Sequence, residues 1–165
     1  MRTVILCLIL LSGLCFAQQP DLTLFYEAYM HQRYESACAI LDLLIQQHPE
    51  NASLHMYMGK TRLAMRQYGR AVKSLQTAES MQFSDPHLYH YLGLALKEEG
   101  LLEEAIRAFD KALWGHPDPV PLRLRIAGLH YEQKRYDKAI TSLDEILSEN
   151  PDHLRALFEL SLIHI

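Results

Sequence analysis

The chain contains 165 residues, of which 49% are apolar, with seven glycines and seven prolines. This composition is typical of one ordered, helix-rich domain and excludes a disordered chain. The formal net charge of −4 excludes the strongly basic surface that non-specific nucleic-acid binding requires, so we expect no nucleic-acid partner.

The first residues form a segment of their own. Arg2 precedes an apolar run over residues 4–16, which is too short to cross a bilayer. The run ends in the triplet 15–17, where small residues flank a larger one, as at a secretory cleavage site. We therefore predict that residues 1–17 are a signal peptide and that no transmembrane span remains after its cleavage.

This signal predicts a secreted or periplasmic protein of a bacterial envelope. Lipoprotein anchoring through Cys15 is the alternative, but the bulky Leu14 stands where lipoprotein signals carry a small residue. Cleavage removes Cys7 and Cys15, so Cys38 has no disulfide partner in the mature chain. We expect its stability to come from packing.

Helical periodicity begins after the signal. Apolar residues recur at intervals of three and four over residues 21–45, which indicates a helical stripe with one interruption. Pro49 ends this unit, and Asn51 or Ser53 is expected to cap the next helix by accepting a backbone N–H. The two helices of the second unit are predicted to meet around residues 67–70.

The third unit begins at Asp85, a capping carboxylate, followed by Pro86 at the first helical position, where its missing N–H costs nothing. Gly100 is expected to end that helix, because glycine adopts positive φ without a steric penalty. Stretches with proline at residues 116–121 and 150–151 separate the later units. A single further helix is predicted after the second of these stretches.

The same residue types return every 34 residues. Gly59, Tyr68, Ala71, Leu75 and Ala78 are followed at this spacing by Gly93, Leu102, Ala105, Phe109 and Ala112. The alanine column extends to Ala37 and Ala139, and the tyrosine column extends to Tyr34 and Tyr136. Such a period predicts an array of helical repeats. Its small residues let two antiparallel helices approach closely, and its large residues fill the gaps between neighbours.

This pattern resembles the tetratricopeptide repeat, a helix–turn–helix unit of alternating small and large residues with a closing proline. The third unit matches best, at Tyr89, Leu92, Gly93, Leu96, Gly100, Ala105, Phe109, Ala112 and Pro117. The resemblance covers residues 18–159 and implies an all-α fold, an α-solenoid of antiparallel helix pairs with a right-handed superhelix. Phe25 stands where the family carries a small residue, so we expect the first pair to cross at a wider spacing.

The register predicts four repeats plus a partial fifth. The units are the signal peptide at residues 1–17, repeats at residues 18–50, 51–84, 85–118 and 119–152, and a partial repeat or capping helix at residues 153–165. Residues 160–165 can be back-translated to a sequence like a transposon end used in preparing sequencing libraries, which predicts a non-native tail and a longer natural chain. The alternative is that Leu160 and Leu162 continue a capping helix.

The resemblance also implies a role in protein–protein interaction. In the family's geometry the first helix of each unit lines a concave groove, and the groove residues here are Tyr26, Tyr29, Met30, Met56, Lys60, Leu63, His87, His90, Leu94, Lys97, Leu124 and Tyr131. Aromatic and methionine side chains favour a peptide segment as ligand. For Met56 and Leu63 the alternative is burial against the next unit. The absence of asparagine from this set excludes the Lys–Asn clamp with which some family members bind a terminal carboxylate.

We therefore predict a non-enzymatic scaffold or adaptor that binds a protein or peptide partner in this groove and is exported from the cytoplasm. One alternative is a self-associating structural component of an envelope assembly, with contacts through the C-terminal helix. The other is the non-catalytic fragment of a longer enzyme or regulator.

The residues that could carry chemistry do not form a recognisable site. His87 and His90 are one helical turn apart, but two imidazoles without further ligands do not make a metal site. Cys38 has no base near it in the sequence, so we interpret it as a core thiol rather than a nucleophile. The glutamates that flank Gly100 are expected to be exposed ends of helices. The sequence thus predicts no catalytic residue, no cofactor and no metal.

Charge is distributed unevenly along the chain. Residues 51–78 contain no acid and five cations, Lys60, Arg62, Arg66, Arg70 and Lys73, whereas the first and third units are each net acidic. One interpretation is that acidic neighbours in the stack offset this basic band. The sharper hypothesis is that Lys60, on the groove side, binds an acidic segment of a ligand.

Overall fold

The computed structural model describes residues 20–163, which form nine α-helices and no β-strand. The helices are α1 (Thr23–Met30), α2 (Tyr34–Gln47), α3 (Ala52–Ala64), α4 (Tyr68–Ser80), α5 (Pro86–Glu98), α6 (Leu102–Leu113), α7 (Val120–Glu132), α8 (Tyr136–Glu149) and α9 (Leu154–Ile163). Each helix packs chiefly against its neighbours in the chain, so the fold is an all-α solenoid of antiparallel helix pairs, as predicted. The predicted signal peptide, residues 1–17, lies outside the described residues.

A small residue faces a large one where the first helix of a pair crosses the second. Gly93 on α5 lies against Phe109 on α6, and a Cβ added at Gly93 would be 2.6 Å from the Phe109 ring. Gly59 on α3 has the same relation to Leu75 on α4. Only a residue without a Cβ lets these helices approach so closely. The structure thus confirms the packing role that the 34-residue period predicted for both glycines.

The alanine column of the second helices is fully buried. Its members Ala37, Ala71, Ala105 and Ala139 are all 0% exposed, which confirms that this column packs inside the stack. In the first pair Phe25 takes the place of the crossing glycine and is 1% exposed, in a cluster with Leu41. The wider crossing of that pair stays a prediction.

Four turns that join a first helix to its second share one backbone conformation. Their φ angles are 57° at Gln32, 58° at Arg66, 79° at Gly100 and 59° at Lys134. In every turn this residue donates its N–H to the carbonyl three residues earlier, and the next residue donates to the carbonyl five residues earlier, which is the Schellman motif. Gly100 thereby has its predicted helix-ending role. The other three positions hold side chains that adopt this φ only with strain.

Two helix starts are capped as predicted. Asn51 Oδ1 accepts a hydrogen bond from the Ser53 backbone N–H at 3.2 Å, and Asp85 Oδ1 accepts one from the His87 backbone N–H at 2.7 Å. Pro86 is the first residue of α5. These bonds satisfy backbone donors that the helix itself leaves free, so they define where α3 and α5 begin.

Apolar burial continues from repeat to repeat. A central core joins α3 to α7, and smaller clusters lie around Phe25 at one end and around Leu143 at the other. Leu54, Leu88 and Leu122, spaced 34 residues apart, are all 0% exposed. Each helix pair is therefore covered by the next one, as expected for a solenoid.

The last helix is covered on one side only. On α9 Ala156 is buried, whereas Leu154 and Phe158 are 81% and 61% exposed. Leu160 and Leu162 continue this helix. Within residues 20–163 no helix has the length and apolar character that a membrane span requires.

Replacing Gly93 by alanine should lower the free energy of unfolding. The added methyl group overlaps the Phe109 ring, and overpacking a core costs about 1–3 kcal/mol, which exceeds the gain of about 1 kcal/mol that alanine has over glycine in a helix. The matched control is Gly128→Ala on α7, because a Cβ at Gly128 meets no atom within 4 Å.

Gly128→Ala should raise the free energy of unfolding by about 0.5–1 kcal/mol. Urea denaturation followed by circular dichroism measures both variants against the wild type. Equal stability of the two variants would contradict the close crossing of α5 and α6.

Candidate functional site

Side chains of the first helices surround two cavities. The smaller one, of about 530 Å³, lies between α1, α3 and α5, and we name it the Lys60 groove. It is lined by Tyr29, Lys60, Leu63, Ala64, Arg66, Tyr68, Tyr91, Leu94 and Glu98. The larger one, of about 650 Å³, lies between α5, α7 and α9, and we name it the Gly128 cavity.

Lys60 is the central charge of the Lys60 groove. Its Nζ lies 4.8 Å from the centre of the Tyr29 ring and 5.6 Å from that of the Tyr91 ring, both within the range of cation–π attraction. Burial raises the pKa of Tyr29, and Tyr34 and Tyr91 add to this effect, so the Tyr29 hydroxyl stays neutral at physiological pH. Helices of three successive repeats thus position one ammonium group.

The basic band of the second repeat has no close acidic partner. Among residues 20–163 no carboxylate forms an ion pair with its five cations, Lys60, Arg62, Arg66, Arg70 and Lys73. Arg62 instead donates a hydrogen bond to Ser74 Oγ at 2.5 Å. A later repeat behaves differently, since Lys111 pairs with Glu79 at 2.8 Å. Ion pairs with acidic neighbours therefore do not neutralise the basic band.

The Gly128 cavity combines an apolar floor with a charged rim. Leu124, Leu129 and Leu143 form the floor and are 8%, 1% and 1% exposed. The other lining residues are Lys97, Asp118, Val120, Pro121, Arg125, Ala127, Gly128, Tyr131, Glu132, His153, Arg155, Glu159, Leu162 and Ile163. A Cβ at Gly128 would meet no atom within 4 Å, so the space above this residue is open.

Most of the residues predicted for the groove line these two cavities. They are Tyr29, Lys60, Leu63 and Leu94 in the Lys60 groove and Lys97, Leu124 and Tyr131 in the Gly128 cavity. Met56 is 5% exposed in the central core, which is the alternative left open for it. Tyr26 and Met30 are 43% and 76% exposed on α1. His87 and His90 line neither cavity and lie in a cluster of histidines.

This cluster consists of His87, His90 and His116. The ring centres of His87 and His90 lie 5.4 Å and 5.7 Å from that of His116, and His90 stacks on Tyr91 at 5.7 Å. Burial lowers the pKa of His90 to about 4, and the positive charge of Arg125 and the two neighbouring imidazoles contribute. His90 is therefore neutral at pH 7. In the described part of the chain no three or more His, Cys, Asp or Glu residues are arranged to hold a metal ion.

The other residues considered for chemistry are Cys38 and the glutamates that flank Gly100. Cys38 is a free, half-buried thiol on α2, with its Sγ 3.9 Å from Met65 Sδ. Burial raises the pKa of this thiol, so little reactive thiolate forms at neutral pH. The glutamates on both sides of Gly100 are exposed, as predicted.

Sequence reasoning missed several lining residues. Tyr91 lines the Lys60 groove beside the predicted residues, and its 34-residue spacing from Tyr57 is a signal that marks it. For Arg66 a signal existed, because the 34-residue register places it level with Gly100 at the end of a first helix. The same register places Gly128 level with Lys60, but glycine has no side chain by which a sequence pattern could indicate a groove position.

Three sequence models of the tetratricopeptide repeat match the chain, at residues 9–51, 57–120 and 96–160. The chain is a tetratricopeptide repeat protein. These matches together cover nearly all of the described helices. The first match begins at residue 9, within the predicted signal peptide.

Solved tetratricopeptide repeat structures are similar to this protein at low sequence identity. The crystal structure of MamA has a TM-score of 0.77 at 18% identity, covering 85% of this chain and 82% of that chain. YrrB, described as a tetratricopeptide repeat protein with an unusual peptide-binding site, has a TM-score of 0.75 at 15% identity, with coverages of 85% and 72%. A tetratricopeptide repeat protein from Parabacteroides merdae has a TM-score of 0.78 at 19% identity, with coverages of 86% and 57%. These structural similarities support the α-solenoid fold.

One curated relative is also similar in sequence. A BBSome complex member BBS4 homolog of Drosophila melanogaster is 26% identical over 129 residues. The alignment covers 71% of this tetratricopeptide repeat chain and 26% of the relative. The chain therefore spans about a quarter of the length of that protein.

The lowered pKa of His90 predicts that acid destabilises the fold. Its folded-state pKa of about 4 lies below the ordinary value of 6.5, so protons bind the unfolded chain more readily. The stabilisation from neutral His90 is complete above the ordinary pKa and is lost as the pH falls toward the folded-state pKa. The melting temperature should fall over this range.

Circular dichroism melts across this pH range measure the effect in the wild type and in His90→Gln. The variant should show a shallower decline, because it has no imidazole to protonate at this position. His87→Gln, at an exposed site, is the control and should keep most of the wild-type slope. Parallel profiles for wild type and His90→Gln would refute the assignment.

Proposed function

We propose that this tetratricopeptide repeat protein is an exported scaffold that binds an acidic peptide segment of a protein partner across its first helices. Repeats of this family generally serve as non-catalytic scaffolds for protein–protein interaction. The observation that carries the proposal is the ammonium group of Lys60, which has no carboxylate partner in the described residues and is held between two tyrosine rings in an open groove.

The tyrosine rings position Lys60 without neutralising it. Cation–π contacts fix the direction of an ammonium group but leave its net charge available. Arg66 adds a second cation to the groove lining, and Glu98 contributes the one carboxylate there. Glu98 lies 3.9 Å from Lys97 rather than pairing with Lys60. A carboxylate of a ligand therefore meets an unsatisfied charge and can accept a charge-assisted hydrogen bond.

The walls of the groove favour a peptide over a small ion. Leu63 and Leu94 provide apolar contacts from successive repeats, and Tyr68 adds an aromatic ring. Alternating apolar and charged positions of this kind suit an extended segment with side chains on both sides of its backbone. YrrB, which is similar in fold, is described as having an unusual peptide-binding site, and this supports a peptide ligand here.

Export from the cytoplasm is part of the proposal. It rests on the short apolar run that follows Arg2 and on the small–large–small triplet at residues 15–17. The partner is then a protein of the bacterial periplasm or of the extracellular space. Detection of an N-terminus at Gln18 in the protein isolated from its source would support the export step, and an intact Met1 would contradict it.

Replacing Lys60 by glutamate should weaken partner binding about tenfold or more, which corresponds to about 1.4 kcal/mol, because a like charge then faces the ligand's acid. The partner is captured from the envelope fraction of the source organism with residues 18–165, and its acidic segment is titrated by fluorescence anisotropy. The wild-type affinity should fall between about 0.05 M and about 0.5 M NaCl, since salt screens exposed charges.

Lys73→Glu is the matched control. Lys73 belongs to the same unpaired basic band, but it is exposed on α4 and lines neither cavity. This variant has the same change in net charge and should keep nearly the wild-type affinity. Equal affinities of Lys60→Glu and wild type at low salt would rule out the proposed contact.

Self-association through α9 is a second candidate function, favoured by the exposed apolar side chains of this helix. Leu154, Leu157, Phe158 and Leu162 are 81%, 42%, 61% and 46% exposed. Four such residues on one helix form a larger apolar patch than the scattered exposed hydrophobics of ordinary surfaces. A second copy of the chain packing there would extend the stack of helix pairs.

Light scattering on residues 18–165 tests this candidate. Self-association predicts a dimeric or larger mass for the wild type and a monomeric mass for the double variant Leu154→Gln, Phe158→Gln, because the variant removes the two most exposed apolar contacts of α9. A monomeric wild type at all concentrations would exclude the self-associating function and leave peptide binding unaffected.

A further inference from the structure

The Gly128 cavity has the larger volume of the two, about 650 Å³ against about 530 Å³, and the contact at Lys60 does not use it. We infer that this cavity receives one bulky aliphatic or aromatic side chain of the same acidic peptide. The inference rests on the proposed function and specifies the ligand further. The peptide carries an apolar anchor residue besides the acid that meets Lys60.

The cavity exists because one column of first-helix residues lacks a side chain. Lys60, Leu94, Gly128 and Leu162 follow one another at 34-residue spacing. At Gly128 this column presents only backbone, and a Cβ would meet no atom within 4 Å. Gly128 is not required for the crossing of α7 and α8, because Ala127 occupies the place of the crossing glycines and is 2% exposed.

Nor does the backbone require a glycine at this position. Gly128 lies inside α7 and has no positive φ, and glycine in a helix interior destabilises the helix relative to alanine. The feature that Gly128 provides is the open space beside it. Gly128 thus lowers the stability of α7 relative to alanine, and it leaves room for a ligand side chain.

The space is lined by a rigid apolar surface. Leu124 and Leu143 pack in the cluster of α7, α8 and α9, Leu129 packs in the central core, and all three are almost fully buried. Leu162 and Ile163 of α9 form the opposite wall, so the pocket depends on the alternative in which residues 160–163 are the native continuation of this helix. A preformed apolar pocket accepts an apolar side chain with little loss of entropy from the protein. In a cavity of this volume an alanine side chain would make few van der Waals contacts with the walls. A bulky side chain would make many more, so we expect a bulky residue there.

The rim of the cavity matches an acidic peptide. Arg125 has no ion-pair partner in residues 20–163, and Lys97 reaches only its neighbour Glu98, at 3.9 Å. Two acids of the lining, Asp118 and Glu132, form no ion pair in residues 20–163. Asp118 Oδ1 accepts a hydrogen bond from the Val120 backbone N–H at 3.2 Å, and Glu132 lies seven residues after Arg125, about 10 Å along α7. Lys97 and Arg125 are thus two cations of the rim that have no ion pair with an acid of another helix in the described residues. Acidic residues next to the apolar anchor would face Lys97 and Arg125.

Both cavities can be reached by one segment. Leu94 and Glu98 on the last turns of α5 line the Lys60 groove, and Lys97 on the same turns lines the Gly128 cavity. A peptide that crosses the C-terminal end of α5 thus passes directly from one site to the other. When one segment makes both contacts, binding at the first site raises the effective concentration of the segment at the second site.

Selection of displayed peptides tests the inference. A phage library of random peptides of about a dozen residues is selected on immobilised residues 18–165, and enriched peptides are synthesised and titrated. The peptides should contain Asp or Glu together with a bulky apolar residue. Gly128→Leu, which fills the open space, should weaken their binding about tenfold or more.

Gly128→Ala is the matched control, because one methyl group leaves most of the cavity open and binding should change little. Circular dichroism should show both variants folded, with melting temperatures at or above that of the wild type. Leu162→Glu is a second variant on the exposed wall, and it should weaken the same peptides through a charge placed against the apolar anchor.

The outcomes distinguish the two proposals. Enriched acidic peptides that lose affinity for Lys60→Glu but bind Gly128→Leu and Leu162→Glu as tightly as wild type would overturn the anchor pocket and leave the proposed function standing. Enriched peptides without an apolar residue would have the same consequence. If no peptide is enriched on the wild type, the peptide-binding function fails and the anchor pocket fails with it.

Discussion

The whole array depends on the close crossing of the two helices within each pair. At Gly93 the Phe109 ring occupies the place where any other residue would have its Cβ, so a larger residue would have to displace the ring or separate the two helices. A pair built this way is thin and leaves apolar surface on its outer sides. The complete burial of Leu88 and Leu122 shows that the neighbouring pair covers this surface. A single helix pair has no complete core, so the pairs stack in order to bury their apolar surfaces.

Much of this fold could be predicted from the sequence, because the small and large residues of each crossing recur at one spacing. The columns of Gly93 and Phe109 predicted the helix pairs, and Asp85 predicted the start of α5. A positive φ in the turns was predicted only at Gly100. At Arg66 and Lys134 the side chain gives no sign of positive φ, since the Schellman hydrogen bonds of the backbone, and not residue type, impose this conformation there.

The candidate site was less predictable, for two physical reasons. A position on a first helix faces either the groove or the next repeat, and a rotation of a few tens of degrees decides between them, so Met56 is buried whereas Leu63 lines the groove. The second reason is that a cavity is defined by missing atoms. A search of the sequence for side chains that contact a ligand names Leu124 and Tyr131, but it passes over Gly128, whose absent side chain opens the space between them.

The unpaired charge of the second repeat is informative because the stack does not need ion pairs to hold together. Where cations and acids of neighbouring repeats do meet, as in Arg135 with Glu103, the side chains are 43% and 49% exposed, and such pairs contribute at most about 1 kcal/mol. Apolar burial across the repeats is the dominant stabilising term. Lys60 is therefore not needed for an ion pair that stabilises the stack. Two tyrosine rings lie against its ammonium group, and under the proposed function this arrangement would add more to the specificity of peptide binding than to the stability of the fold.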